Sequence, residues 1–488
     1  MSELHASMTF ETSFVVGEVN PRLFGSFVEH LGRCVYTGLY EPGHPAADEH
    51  GLRTDVLALV RELGVTMVRY PGGNFVSGYR WEDGVGPVAQ RPRRLEPAWK
   101  SVETNEFGLA EFMRFVREVQ AEPMLAVNLG TRGLQEACDL LEYCNFPEGT
   151  ALSDLRRAHG AADPYGVRLW CLGNEMDGFW QIGHKPAPEY GRLATQTARA
   201  MRMIDEDLRL IVCGSSGSSM PTFGSWEREV LEHAYDAVDY ISCHAYYEER
   251  DGDVGSFLAS ATDMEHFIDA VVATCDHVGA TLRSPKRIEI SFDEWNVWYM
   301  NRPKDIDPPQ WTVAPRLLED VYTVTDAVVV GSLLISLLRR CDRVTAACLA
   351  QLVNVIGPIM TEPGGAAWRQ TTFYPFAQAA RYGRGKVLQT AIDSPAYETA
   401  KYGDVPLLHA TAVQAEDGTV TVFAVNRDLT RPLRLSIDIP ALKVLEHLVL
   451  ADPDRHATNT AEHPDRVTPR PHHATELPPM SWNMIRLG

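Results

Sequence analysis

The chain has 488 residues, 45% of them hydrophobic and 23% charged, with a formal net charge of −20. That length suits two domains, one of them large, and the composition is globular rather than disordered or fibrous. The negative charge argues against nucleic acid or an anionic membrane surface as partner, and it fits a neutral or cationic small substrate.

The first residues, Met1 to Phe10, lack the basic and apolar regions of a secretory signal. The longest apolar stretch, Ala327 to Leu338, is too short to span a bilayer and carries Gly and Ser. The nine cysteines include no C-x-x-C pair, and Cys171, Cys213, Cys243 and Cys348 lie inside apolar runs. They read as buried small hydrophobes rather than a disulfide framework, and the expected compartment is the cytoplasm.

In chain order, residues 8 to 19 predict an extended strand that ends at Asn20-Pro21. A repeated theme follows. Short apolar runs cover Leu23 to Glu29, Val65 to Tyr70, Met124 to Leu129, Val167 to Leu172, Leu210 to Gly214, Val238 to His244, Arg287 to Phe292 and Val344 to Leu352. Between them lie segments of helical period such as Arg53 to Leu63, Gly108 to Val119, Tyr190 to Ile204 and Trp226 to Tyr235. Apolar strands separated by amphipathic helices imply a parallel sheet covered on the outside, and eight such units imply a (β/α)8 barrel. After about residue 375 the texture changes to alternating runs: Ala410 to Val413, Thr419 to Val425, Leu433 to Ile439, Glu446 to Leu450 and Trp482 to Leu487. These predict an all-β sandwich. The expected division is a barrel over 20–375 and a sandwich over 1–19 plus 376–488. The segment Ala457 to His473 is expected to be a surface loop.

Each barrel run ends in polar residues, which the fold would gather on one face. Glu29 ends the first, Arg69 and Asn74 follow the second, and Asn174-Glu175 follow the fourth. His244 and Tyr246 follow the sixth, Asp293-Glu294 the seventh and Gln351 the eighth. Glu175 and Glu294 would face each other across the barrel. A carboxyl pair about 5–5.5 Å apart supplies a general acid/base and a nucleophile for opening a glycosidic bond with retention. In that scheme the charge of Glu294 would help Glu175 to hold a proton. Arg69 and the Tyr246 hydroxyl are expected to stabilise the ionised Glu294, and Asn174 to bond the hydroxyl beside the anomeric carbon. Trp99, Trp295 and Trp298 are either core or stacking surfaces for sugar, and His244 is either a satisfied core histidine or part of the catalytic face. Alternation along the strand would turn Asp293 away from Glu294, as a structural residue. No motif for zinc, phosphate or a dinucleotide occurs, so neither metal nor cofactor is expected.

Several motifs stand in a fixed order: Phe24-Gly-Ser-Phe-Val-Glu29-His30, Arg69-Tyr-Pro-Gly-Gly-Asn74-Phe, Trp170-Cys-Leu-Gly-Asn-Glu175-Met-Asp-Gly, His244-Ala-Tyr246-Tyr, Phe292-Asp-Glu294-Trp-Asn-Val-Trp298-Tyr, and the closing Leu477-Pro-Pro-Met-Ser-Trp-Asn-Met-Ile-Arg-Leu. On these the chain resembles the α-L-arabinofuranosidases of glycoside hydrolase family 51 over nearly its whole length. The resemblance implies a retaining exo-hydrolase that removes terminal α-L-arabinofuranosyl groups from arabinoxylan, arabinan or their oligosaccharides. It implies Glu175 as acid/base and Glu294 as nucleophile. Glu29, Asn74, Asn174, Tyr246 and Gln351 match positions that hold the sugar, position 74 being one where the family also uses Cys. Trp298 and Trp99 match aromatic residues at the site entrance. The implied fold is a (β/α)8 barrel with a jelly-roll-like sandwich, and the implied assembly an intracellular homohexamer. Two other readings stay open: another glycosidase on the same scaffold (an endo-β-glucanase or β-xylosidase), and a non-catalytic carbohydrate-binding protein.

Overall fold

In a computed structural model the described residues are 3–300, 310–438, 442–473 and 476–488. Eight parallel strands close into a barrel: Gly25–Phe27, Met67–Tyr70, Glu122–Val127, Leu169–Leu172, Arg209–Val212, Tyr240–Tyr247, Glu289–Val297 and Val344–Leu349. They are numbered one to eight below. Each of the eight expected runs supplies one strand. The strands are apolar on both sides because one side fills the barrel and the other meets the helices.

The helices form where apolar residues recur at helical spacing. Helix Leu109–Glu118 buries Leu109, Phe112, Met113, Phe115 and Val116 as one stripe, and the Glu111 carboxylate accepts the Gly108 N–H at its start. Helix Thr54–Leu63 ends at Gly64, whose φ of 80° closes the last turn in the left-handed region. Helix Val324–Arg339 differs, being buried on all sides from Val324 to Leu338. It lies between the barrel and the second domain, and a Cβ on Gly331 would stand 2.3 Å from the Trp482 ring. Its apolar character is therefore that of a doubly covered element. Among the described residues no helix is long and apolar enough to cross a membrane.

The second domain is a nine-stranded sheet. Its N-terminal strand, Leu4–Glu18, pairs antiparallel with Lys386–Asp393 and parallel with Leu433–Asp438. The run expected to reach Ile439 ends at a residue outside the described ones. Alternation along the strands splits the apolar residues between two cores. Val420, Val422 and Ala424 join Met8 and Phe10 in the domain's own core, while Phe423, Val425 and Trp482 join the barrel's. Helix Phe373–Tyr382 runs across the expected 375/376 division and packs on helices Thr54–Leu63 and Val324–Arg339. We place the division after this helix, before strand Lys386–Asp393 begins. The segment from Ala457 is not simply a surface loop. Ala457, Asn459 and Val467 are buried, and the Ala457 carbonyl accepts the Val324 N–H at 2.9 Å. A hairpin, Ala396–Thr399 with Gly403–Pro406, leaves the second domain and reaches the barrel. Tyr397 donates its hydroxyl to the Gly255 carbonyl at 2.9 Å, and the Lys401 N–H donates to the Ser256 hydroxyl at 3.1 Å.

Candidate active site

A cavity of about 1130 Å³ opens at the C-terminal ends of the barrel strands, roomier than the usual site for one small ligand. Glu29, Asn74, Trp99, Glu175, Tyr246, Glu294, Trp298 and Gln351 all line it. Arg69, Asn174 and His244 are buried; Arg69 bonds the lining residue Glu294, His244 bonds the lining residue Glu175, and Asn174 bonds Arg69.

Backbone geometry delivers the two central carboxylates. Strand four stops at Leu172, and Gly173 and Glu175 take φ of 95° and 43°, so the chain turns sharply and presents Glu175 at the strand mouth. Strand seven carries a bulge. Ser291 pairs with Ser242 and Glu294 with His244, so three steps on strand seven match two on strand six. The bulge overturns the expectation for Asp293. Phe292 packs outside against Phe267, and Asp293 and Glu294 then both face the barrel interior. Simple alternation fails because the extra residue resets the pleat.

Glu294 is held by two strong donors. Arg69 Nη1 donates to Oε1 at 2.7 Å and the Tyr246 hydroxyl to Oε2 at 2.7 Å. The same guanidinium donates from Nη2 to Asn174 Oδ1 at 2.6 Å, lies 4.7 Å from the Phe27 ring centroid, and has Nε 3.9 Å from Asp293. Glu175 accepts from Trp180 Nε1 at 2.6 Å and bonds His244 Nδ1 at 2.9 Å. His244 Nε2 lies 2.9 Å from Asp293 Oδ1, and Nδ1 also lies 3.5 Å from Glu294 Oε2. Burial works against a charged His244 ring, but Glu294, Asp293 and Glu175 outweigh it and push the group up to about 10. Each ring nitrogen faces a carboxylate oxygen at 2.9 Å, an arrangement that fits an imidazolium donating from both. Burial likewise opposes ionisation of Asp293, yet Arg69 and His244 hold it below the usual carboxylate range.

Glu29 occupies the other side. It accepts from the Phe75 N–H at 2.9 Å, Trp99 Nε1 at 3.0 Å and Gln351 Nε2 at 2.9 Å. Burial still pushes its carboxyl up to about 7. The Pro71-Gly72-Gly73 run is required here: a Cβ on Gly72 would stand 2.4 Å from Glu29 Cγ, and one on Gly73 3.1 Å from Glu294 Oε1. Neighbouring His30 faces away from the cavity, between Glu103 and Tyr70. Among the described residues, Asn174 Nδ2 and Gln351 Oε1 are buried polar atoms with no hydrogen-bond partner. Such atoms are costly unless a ligand or water meets them.

One candidate oxygen or nitrogen ligand atom each from Glu175, His244 and Glu294 lies within 4.8 Å of the other two. His244 Nδ1 bonds Glu175, and Arg69, Tyr246 and Trp180 donate to the same two carboxylates, so the trio is matched to hydrogen-bond donors rather than to a metal ion.

Residues 59–266 match the family model described as α-L-arabinofuranosidase 1 domain, and residues 293–482 that of the α-L-arabinofuranosidase C-terminal domain. Over 99% of the chain it is 65% identical to an intracellular exo-α-(1→5)-L-arabinofuranosidase of Streptomyces lividans, covering 75% of that protein. It is 55% identical to an exo-α-(1→6)-L-arabinofuranosidase of Bifidobacterium longum, covering 98% of this chain and 97% of that one. A solved family 51 α-L-arabinofuranosidase from Bifidobacterium longum superposes with a TM-score of 0.96 at 48% identity, with 100% of both chains covered. The chain belongs to the family 51 α-L-arabinofuranosidases.

Three features of this family 51 chain are not predicted from its sequence. Trp180 holds Glu175, and an aromatic residue five positions after the acid could have flagged it. Asp293 joins the charged cluster through a bulge that composition does not reveal. Lys401 and Tyr402 of the second domain's hairpin line the same cavity, and nothing in their local sequence points there.

Proposed function

We propose that the protein is a retaining, exo-acting α-L-arabinofuranosidase in which Glu294 is the nucleophile and Glu175 the acid/base. One observation carries the mechanism: a Glu175 oxygen and a Glu294 oxygen lie within 4.8 Å of each other on the floor of the cavity. That is near the roughly 5–5.5 Å separation of retaining enzymes and below the roughly 6.5–9.5 Å that leaves room for water in inverting ones. Arg69 and Tyr246 each donate to one Glu294 oxygen, which orients the carboxylate for attack. In the first step a Glu294 oxygen bonds the anomeric carbon, the bond to the leaving oxygen breaks, and Glu175 gives that oxygen its proton. In the second step Glu175 takes a proton from water, the water oxygen bonds the anomeric carbon, and Glu294 departs.

The sugar is held by Glu29, Asn74, Asn174, Tyr246 and Gln351. Arg69 occupies Asn174 Oδ1, which leaves Nδ2 free to donate to the hydroxyl beside the anomeric carbon. Gln351 Oε1 is free to accept from another hydroxyl. Trp99 and Trp298 offer apolar faces at the entrance. The preferred substrate is an α-1,5-linked arabino-oligosaccharide, a reading supported by the name of the 65% identical relative. That relative is also named intracellular, which supports a cytoplasmic location. A homohexamer follows from family resemblance, and light scattering on the purified protein tests it.

The deciding experiment follows the anomer first released, by NMR. The retaining reading expects α-arabinofuranose, and initial β-arabinofuranose overturns it. Turnover on nitrophenyl arabinofuranoside well above that on the xyloside and glucoside separates this reading from other barrel glycosidases.

A further inference from the structure

Asp293 is a buried carboxylate, 1% exposed, for which the two-step reaction has no use. It lies beneath both reactive carboxylates, bonded to His244 Nε2 at 2.9 Å and 3.9 Å from Arg69. Cys171 on strand four donates weakly to it at 3.7 Å. An ionised group buried this deeply is costly unless it is paired. Its neighbour His244 then sits between one carboxylate below and two above.

We propose that Asp293 is a positioning residue for the reaction: through the His244 ring it holds a fixed cationic N–H between Glu175 and Glu294, which serves whichever of the two carries the negative charge. This rests on the assignment of that pair above. The proposed two-step reaction starts with the negative charge on Glu294, 3.5 Å from Nδ1, and the proton on Glu175. Attack converts Glu294 to an ester, and proton donation leaves the charge on Glu175, 2.9 Å from the same Nδ1. The cation does not move; the charge moves across it. Of the other charged or titratable groups nearby, Asp177 after strand four acts on the ring itself, Arg69 on strand two, Cys171 on strand four and Cys213 after strand five act on Asp293, and Tyr246 on the ring's own strand acts on Glu294. Among these groups and Glu175, Glu294 and Asp293, Arg69 is the other cation, and it is committed to Glu294, Asn174 and Asp293.

The test depends on a sign. Replacing Asp293 by Asn removes a negative charge. If Asp293 were only a nearby anion, its loss would make the acid easier to ionise, and the high-pH limb of kcat/KM would move down. If it acts through His244, the imidazolium loses its counter-ion and gives up its proton more readily. Glu175 then loses the cation beside it and keeps its own proton to higher pH.

The measurement is the pH profile of kcat/KM on an arabino-oligosaccharide, whose poor leaving group needs the acid. The expected result is an upward shift of the high-pH limb by about one pH unit or more in D293N, in the range set by one lost charge partner. H244Q shifts the limb the same way, the double variant D293N/H244Q adds little, and D293E returns the profile toward wild type. A downward shift, an unchanged profile, or a uniform loss at every pH overturns the proposal. An E294A enzyme that keeps full activity would instead overturn the underlying assignment, so the two failures are distinguishable.

Discussion

Tyr246→Phe removes one hydroxyl and one hydrogen bond, 2.7 Å from Tyr246 to Glu294 Oε2. Arg69 remains on Oε1, so Glu294, the proposed nucleophile, keeps a charged partner. The two chemical steps should respond unequally. In the first step Glu294 gives up its charge, so a donor to that charge holds back the attack as well as orienting it. In the second step Glu294 departs as a carboxylate, and the donor stabilises the charge as it forms. A hydrogen bond to a charged group contributes about 1.5–3 kcal/mol. At about 1.36 kcal/mol per tenfold in rate, its loss slows the second step roughly 10- to 150-fold. The assay is stopped-flow release of dinitrophenol from the aryl arabinofuranoside. The variant should show a burst close to one equivalent per site and then a slow steady state. Its kcat and KM should fall together, with kcat/KM changed much less. Equal falls in kcat and kcat/KM with no burst would show that the hydroxyl acts in the first step and refute the reasoning.

Glu294→Ala is expected to lose turnover, with azide restoring it and giving the inverted glycosyl azide; a fully active variant would sink the nucleophile assignment. Glu175→Ala should retain most activity on substrates with good leaving groups, and equal loss on all aglycones would assign Glu175 another role. Glu29 is pushed up from 4.5 to about 7 by burial, so the folded protein binds this proton more tightly than the unfolded chain. That contribution is fully present below about 4.5 and is lost as pH rises through about 7, a change of at most about 3 kcal/mol. Glu29→Gln should therefore raise thermal stability relative to wild type at pH 8 and not at pH 5, while impairing sugar binding; an equal effect at both pH values would contradict the linkage. Lys401→Ala should raise KM for arabino-oligosaccharides more than for a nitrophenyl arabinofuranoside, because the hairpin lines the cavity from the second domain while the residues proposed to hold the reacting sugar belong to the barrel. Equal effects on both substrates would remove the hairpin from substrate recognition.

The sequence by itself determined the barrel, because burial on both faces leaves a near-continuous apolar run that no surface strand shows. It also determined that Glu175 and Glu294 stand toward the catalytic ends of strands four and seven, since each follows an apolar run of strand length. Tertiary structure decided what those groups do to one another. The bulge between Ser291 and Glu294 depends on pairing with strands six and eight, so the inward turn of Asp293 has no local signal. The charge on His244 depends on three carboxylates brought by two other strands, and Arg69 reaches both Asn174 and Glu294 only once strands two, four and seven share one barrel. The hairpin with Lys401 lines the cavity because helix Val324–Arg339 packs the second domain against the barrel, a contact made between segments far apart in the chain. Periodicity reports burial along one segment; a pKa, a bulge or a shared cavity belongs to several segments at once, and it exists only after they have packed.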